Sequence, residues 1–402
     1  MSDIHHQIVV IGGGAAGLSV AARLARITPK LDVALVEPSD THYYQPLWTL
    51  VGGGEFRREK SARPMSSLIP AGVTWIRDAV LNVWPEKNCL QTVGEQRISY
   101  DWLVVAPGIQ IDWDKIKGLP ETLGKNGVCS NYSYQTASYT WECLQNFQGG
   151  EALFTFPATP IKCAGAPQKI MYLAEEHFRR RGIRHKAHIS YLCATPVIFS
   201  CPHYAKALMD NVIPPREIDV AFRHNLIAVR GEAKEAVFQN LETNEEVVRP
   251  FDLLHVAPPM SAPDFVKRST LANDAGWVDV HKHTLRHNRF ANVFALGDAS
   301  SLPTSKTAAA VRAQFPVLTQ NLLDAMAGKE PTTQYDGYTS CPLVTGYGKL
   351  ILAEFDYDLK PRETFPFDQR VERKSMYLLK KYVLPVIYWD GLVRGRTWPW
   401  FG

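Results

Sequence analysis

The sequence predicts an α/β protein of two Rossmann-like dinucleotide-binding domains with a short C-terminal segment added, and three stretches carry that expectation. Gln7-Ile-Val-Val-Ile11 is a continuous β-rich run that passes directly into Gly12-Gly-Gly-Ala-Ala-Gly17 and the periodic apolar segment Leu18 to Ile27. That is the order strand, glycine turn, helix. Ala152 to Phe156 is a second apolar run, followed by the turn-forming stretch Pro157 to Pro167 and a helical run from Gln168 to Arg181. Asn292 to Ala299 is a third, apolar through Leu296 and closed by Gly297-Asp298. A chain of 402 residues, 46% of them hydrophobic, suits two or three domains with more than one core.

Composition narrows the function classes. Net charge is only +4, from 44 basic and 40 acidic residues, and no lysine-rich run reads as a nucleic-acid arm. No nucleic-acid partner is expected. No uncharged apolar run approaches the roughly 18 residues of a spanning helix, so any membrane contact is expected to be peripheral. The first strand begins by about Gln7, which leaves no room for a signal or transit peptide and suggests a chain cytosolic in origin or already processed. Seven cysteines make an odd count without a C-x-x-C pair, so at least one thiol is unpaired or reactive and no metal is expected.

The first turn reads as a pyrophosphate cradle. Gly12 permits the tight turn, Gly14 lets backbone approach a phosphate, and Gly17 lets helix and strand pack closely. Ala15 and Ala16 open the helix, whose N-terminal N–H groups face the phosphates. A second strand, Asp32 to Val36, ends in Glu37, a carboxylate placed to accept from an adenosine ribose.

Two further segments resemble flavoproteins of the two-dinucleotide-domain class and point to FAD as resident cofactor. Tyr100 to Gly108 looks like the strand returning to the FAD domain, and Asn292 to Ala299 like the strand whose terminal Asp298 binds the ribityl chain. Thr304-Ser-Lys-Thr-Ala-Ala-Ala-Val311 offers N-cap candidates before strong helix formers, so a helix is expected to start there and point at the flavin. Lys306, with Thr307 beside it, is assigned to the N1/O2 edge of the ring, where a lysine and a helix N-terminus stabilise negative charge. The same fold implies Gln45 near the isoalloxazine and the Val80 main chain at the adenine.

The second turn departs from a nicotinamide site. Pro157 to Pro167 holds one glycine and three prolines, so few N–H groups converge on a phosphate. It carries Cys163 just before a helix, with Lys162 adjoining, a setting that favours the thiolate. Cys341 lies in Tyr338-Thr-Ser-Cys-Pro-Leu-Val-Thr-Gly-Tyr347, and its Ser-Cys-Pro context reads as a turn.

Pro160 to Leu173, Leu302 to Val311 and Asp336 to Tyr347 together resemble the sulfide:quinone oxidoreductases of the mitochondrial type and their bacterial relatives, with similarity from about Ile8 to about Tyr388. The resemblance implies that Cys163 and Cys341 are the redox-active pair beside FAD, joined by a disulfide or a bridging sulfur. Hydrogen sulfide, as hydrosulfide, would attack the pair, leave one cysteine as a persulfide, and let the other pass two electrons to the flavin. Matched position favours Cys163 as persulfide carrier, with the reverse division left open. Implied partners are a quinone of ubiquinone or menaquinone type and a sulfur acceptor such as glutathione, sulfite, cyanide or sulfide. A peripheral place on the cytoplasmic or mitochondrial matrix face of a respiratory membrane follows, and a homo-oligomer is left open. Cys129 stands near a third cysteine of some branches and reads either as a sulfur relay or as packing. Cys193, Cys201 and His203 match no motif.

Ser375 to Trp389, followed by Arg394, Arg396, Trp398, Trp400 and Phe401, mixes aromatic, aliphatic and basic side chains. It is expected to face a membrane surface, with Lys380, Lys381, Arg394 and Arg396 meeting anionic lipid; a core-packing or dimer-forming tail is the other reading. Tyr347, Phe355 and Phe365 are candidate quinone contacts. The expected organisation is an FAD domain in segments 1–110 and 291–335, a second Rossmann-like domain over 111–290 with a degenerate nicotinamide site, and a quinone- and membrane-associated region over 336–402. Two alternatives are a single-subunit NADH:quinone reductase, against which the second turn argues, and a flavin-holding interaction protein without turnover, against which the paired cysteines argue.

Overall fold

In the computed structural model, which describes residues 4–28 and 30–397, the first apolar run becomes the strand Ile4–Ile11 at the middle of a seven-stranded sheet. Ile8 to Ile11 are buried on both faces, as a central parallel strand requires, and each such aliphatic side chain contributes about 1.5–3 kcal/mol. Val33–Val36 and Arg97–Val105 flank it in parallel, Val73–Ile76 lies outside Val33–Val36, and Val293–Ala295 pairs with Arg97–Val105. The antiparallel strands Cys89–Thr92 and Val80–Trp84 complete the far edge. Helices Ala15–Ile27 and Ala308–Met326 pack against one another beside this sheet.

The second sheet is parallel throughout, in the order Val128–Cys129, Leu253–His255, Gly150–Phe156, Ala187–Cys193, Asp219–Ala221. Helix Ala166–Arg180 follows Gly150–Phe156, and a three-stranded antiparallel sheet, His224–Arg230, Glu235–Asn240 and Glu246–Pro250, packs against its central strands. The first sheet therefore draws its strands from 4–105 and 293–295, and the second from 128–255.

A hairpin of Thr339–Gly346 and Lys349–Phe355 packs on helix Ala166–Arg180. After it, Lys374 to Arg394 runs as five short helical turns, two of them π-type, with Pro385 within. Met376, Tyr377, Lys380, Tyr388, Trp389 and Leu392 are buried, while Leu378, Tyr382, Val383 and Val386 stand exposed on the other face. The tail thus packs one face into the core, as the core-packing reading expected, and leaves one apolar face outside. Trp398, Trp400 and Phe401 lie outside the described residues. No helix among the described residues is long and apolar enough to cross a membrane.

Candidate active site

Four parallel strands end level with one another: Ile11 beside Val36 and Val105, and Val105 beside Ala295. Their exits meet at the carboxyl edge of the sheet, the place where open α/β sheets bind ligands. A cavity of about 560 Å³ opens there, and Gly13, Gly14, Ala15, Ala16, Glu37 and Gly108 line its first end. Gly12 and Gly17 stand behind the lining. Gly12 has φ +95°, and a Cβ there would lie 2.4 Å from the Ala106 carbonyl oxygen; a Cβ on Gly17 would lie 1.8 Å from the Gly12 carbonyl oxygen. A Cβ on Gly14 or Gly108 would meet nothing within 4 Å, so the turn is open toward a ligand at those two points.

The donor set fits FAD. Glu37 accepts from the Gly13 N–H at 2.6 Å and the Ser39 N–H at 2.7 Å, which fixes its carboxylate at the cavity wall and leaves lone pairs for ribose hydroxyls. Helix Ala15–Ile27 offers its N-terminus to phosphates, and helix Ala308–Met326 offers another at the far end. Thr307 caps that second helix, its hydroxyl accepting from the Ala310 N–H at 3.0 Å and pairing with the Thr339 hydroxyl at 2.9 Å. Asp298 lines the cavity in the turn after Val293–Ala295; burial pushes its carboxyl up, against the pull of Lys306 and Lys162. Val80 departs from expectation. It begins a strand at the outer edge of the sheet and does not line the cavity.

Two lysines, Lys306 and Lys162, line this part of the cavity. The Lys306 ammonium donates to the carbonyls of Asp298, at 2.6 Å, and Ser300, at 3.2 Å, and lies 3.8 Å from the centre of the Trp277 ring. Its bonds fasten the turn that carries Asp298 instead of leaving it free for a ring edge. Lys162 lines the cavity beside it, donating to the Gln45 side-chain oxygen at 2.6 Å above the Trp48 ring. Burial lowers both to about 8, with Asp298 opposing. Gln45 lines the cavity as expected from its place in the sequence.

At the cavity's other end Cys163 Sγ stands 3.6 Å from Cys341 Sγ. Cys163 adopts φ +52°, a conformation that costs an L-residue of order 1–3 kcal/mol. Two bonds hold it there: its N–H donates to the Lys306 carbonyl at 2.9 Å, and its carbonyl accepts from the Ala166 N–H at 2.7 Å. Cys341 lies within strand Thr339–Gly346, opposite Ala353, and is buried, so the turn read from Ser-Cys-Pro is corrected to a strand. Pro342 is tolerated because this strand pairs on one side only. A Cβ on Gly165 would come within 2.5 Å of Cys341 Sγ, so glycine is what allows the two sulfurs to approach.

The lysine that acts on Cys163 is Lys169, which the sequence reading missed in favour of Lys162. Its buried ammonium lies 3.2 Å from Cys163 Sγ. Cys163 is held well below the ordinary thiol range by the Cys341 thiol donating to it and by Lys169, against the opposing effect of burial. Cys341 is pushed up, first by keeping the shared proton and then by burial. Burial would lower Lys169, but the two sulfurs overcome it and raise the lysine. Lys380, assigned above to lipid, is instead buried with its ammonium on the Pro46 carbonyl at 2.8 Å; burial and the Lys169 charge lower it to about 7. Lys381 pairs with Glu55, so neither lysine is free for a headgroup.

The hairpin carrying Cys341 has two faces. Ser340, Pro342, Leu352 and Glu354 line the cavity, while Cys341, Leu343, Ile351, Ala353 and Phe355 pack into the core of the second sheet. Only Cys163 of the pair lines the cavity. Of the candidate quinone contacts Phe365 lines it too, whereas Phe355 is core and Tyr347 donates to the Gly53 carbonyl away from it. Cys129 is wholly buried against Cys143, Cys193 is buried, and Cys201 donates to the Leu359 carbonyl at 3.1 Å. No cluster of metal ligands occurs among the described residues.

Fold and site define an FAD-dependent oxidoreductase with two cysteines in contact at its cavity, and the model of the pyridine nucleotide-disulphide oxidoreductases matches residues 6–138. The chain is 52% identical to the mitochondrial sulfide:quinone oxidoreductase of Mus musculus, over 97% of this chain and 87% of that one. It is 47% identical to the corresponding protein of Dictyostelium discoideum, over 98% and 87%. The X-ray structure of the sulfide:quinone oxidoreductase from Aquifex aeolicus superposes with a TM-score of 0.82 at 20% identity, covering 98% of this chain and 93% of that one. The chain belongs to the sulfide:quinone oxidoreductase family.

Proposed function

We propose that the chain oxidises hydrogen sulfide at the Cys163–Cys341 pair and delivers the electrons through FAD to a quinone. The observation that carries this reading is the dithiol at one end of the dinucleotide cavity, with Lys169 Nζ 3.2 Å from one sulfur. A disulfide bond spans about 2.05 Å, so sulfurs 3.6 Å apart are in contact without bonding and are placed for one further sulfur to bridge them. Hydrosulfide opening such a pair forms a new S–S bond on one cysteine and releases the other as a thiolate.

Position now favours the division opposite to the one expected from matched place. Cys163 opens onto the cavity, holds the low-pKa sulfur and has Lys169 to balance its charge, so it is the sulfur from which electrons leave. Cys341, behind the hairpin, carries the persulfide until a nucleophile such as glutathione, sulfite or a second sulfide removes it. Glu37 and the N-terminus of helix Ala308–Met326 would hold FAD, which would supply the two-electron acceptor. Lys162 and the capped helix N-terminus present positive charge to that end of the cavity.

Leu379, Leu384 and Ile387 line the cavity from the same helical segment whose outer face exposes Leu378, Tyr382, Val383 and Val386. We take that outer face as the surface laid on a membrane, from which a quinone reaches the cavity along an apolar wall. The names of the relatives, each a mitochondrial sulfide:quinone oxidoreductase, support a mitochondrial place for that surface. The test is anaerobic titration with sulfide, followed at the flavin band, on the parent, Cys163→Ser and Cys341→Ser. Bleaching is expected in the parent alone; bleaching retained in either variant overturns the pair.

A further inference from the structure

We propose that the Tyr132 hydroxyl and the Asn131 side-chain amide are hydrogen-bond donors to the sulfur anion formed at Cys163, a role that rests on the reading above. Both side chains are deeply buried, at 3% and 4% exposure, and both line the cavity. Tyr132 Oη and Asn131 Nδ2 have no partner among the described residues. Leaving a buried donor unmade is costly, so two adjacent ones facing the same cavity mark a place kept for an acceptor. Tyr132 packs with Ile161 and Ala166, the residues on either side of Cys163, and Cys163 packs on the same cluster. The Cys163 and Cys341 sulfurs also act on the Tyr132 phenol, and the sulfur anion is the acceptor assigned to that place.

The amide is aimed from behind. His255 Nε2 lies 2.8 Å from Asn131 Oδ1, and burial keeps the ring neutral, its pKa lowered to about 3. With its proton on Nε2, the neutral imidazole donates to Oδ1 at the shorter contact instead of accepting from the Asn131 N–H at 3.3 Å, which fixes the orientation of the amide and turns Nδ2 toward the cavity. Burial, with the nearby Cys163 and Cys341 sulfurs, raises the Tyr132 phenol, so it remains a donor throughout the working range.

The step they serve is balanced within the pair. In the oxidised pair, once Cys163 and Cys341 are joined by a disulfide, hydrosulfide would form an S–S bond to Cys341 as the Cys163–Cys341 bond breaks, and Cys163 would depart with the electron pair as a thiolate. Lys169 supplies one partner for that charge, and Tyr132 and Asn131 supply two more without adding a second cation to the buried site. A neutral donor stabilises the anion while leaving the site close to neutral before the bond breaks.

The test uses the reduced FAD-bound enzyme and two separate variants, Tyr132→Phe and Asn131→Leu, which keep side-chain size. Iodoacetamide labelling of Cys163, followed by peptide mass spectrometry between about pH 5 and pH 9, reports its thiolate titration. Each variant is expected to raise that titration by about one unit and so to slow labelling at neutral pH about tenfold, with FAD content and melting temperature near the parent's. Unchanged titration in both variants overturns the proposal. So does a loss of FAD or an altered flavin spectrum with the thiol titration unmoved, which would assign the donors to the cofactor. Should sulfide fail to bleach the parent, the functional reading falls, while the labelling result still decides for or against the donors.

Discussion

The Gly12–Gly17 turn and the Pro157–Pro167 turn occupy the same topological place, after a central parallel strand and before a helix, and they spend their backbone N–H groups in opposite ways. In the first, the helix begins four residues after the strand ends, Gly13 is tied to Glu37, and Gly14 is left open to the cavity. In the second, the helix begins ten residues after the strand ends, which lets the turn cross to the first domain. There the Cys163 N–H goes to Lys306, the Ala166 N–H returns to Cys163, and the Gly165 N–H faces Cys341. The strand-turn-helix frame fixes where chemistry happens, and the turn decides whether a phosphate or a sulfur is stabilised.

Substitution separates the two turns most sharply at the glycines. Gly17→Ala puts a Cβ against backbone 1.8 Å away, so helix Ala15–Ile27 must leave the sheet; loss of FAD and of essentially all activity is expected, read as flavin content after purification. Gly165→Ala instead meets Cys341 Sγ at 2.5 Å and Leu343 at 2.4 Å. It should keep FAD yet slow sulfide-driven bleaching by about a hundredfold, the scale expected of a 1 Å misplacement of reacting groups. If Gly165→Ala loses FAD as Gly17→Ala does, the functional separation of the two turns fails.

Charge gives smaller effects. The folded pKa of Cys163 is depressed, so its thiolate persists below the ordinary thiol value of about 8.5 and is lost as pH falls through the depressed value. The rate of bleaching should therefore rise with pH along a limb below about 8.5. Lys169→Met should move that limb upward and slow bleaching at neutral pH by about tenfold, measured by stopped flow across pH. The smallest effect lies at the opposite edge of the second sheet, where Glu151 and Asp219 raise His188. Its stabilising contribution is present below the unfolded value near 6.5 and fades as pH rises through the raised folded value. Because the imidazole is half exposed, His188→Ala should cost under about 1 kcal/mol, seen as a difference in melting temperature at acidic pH that vanishes at alkaline pH.

Much of this site was legible in the sequence because its signals are local. A β-branched run before Gly12, a carboxylate ending the next strand and Gly297-Asp298 after an apolar run each announce themselves within a few residues. Both cysteines were legible as chemistry, but their meeting spans 178 residues and depends on how the hairpin docks on helix Ala166–Arg180. Cys341 read as a turn because proline follows it, and only the hairpin's unpaired outer edge makes proline compatible with a strand. Lys169 was hidden for a related reason. In sequence it is one polar residue in a helical run, and its direction toward Cys163 appears only when the preceding turn folds back with φ +52°. Lys380 and Lys381 showed the converse, a basic pair that resembles a lipid contact and is consumed by Pro46 and Glu55.

The two-faced hairpin has a further consequence. With Cys341 on the side of the second core and Glu354, Ser340 and Pro342 on the cavity side, one thin sheet of backbone acts as a partition between sulfur traffic and electron traffic. Of the two cysteines, Cys163 is the one that reaches the cavity side. On the proposed reading, a persulfide on Cys341 would stand behind that sheet from the bound oxidant, and so be screened from over-oxidation while it waits for its acceptor.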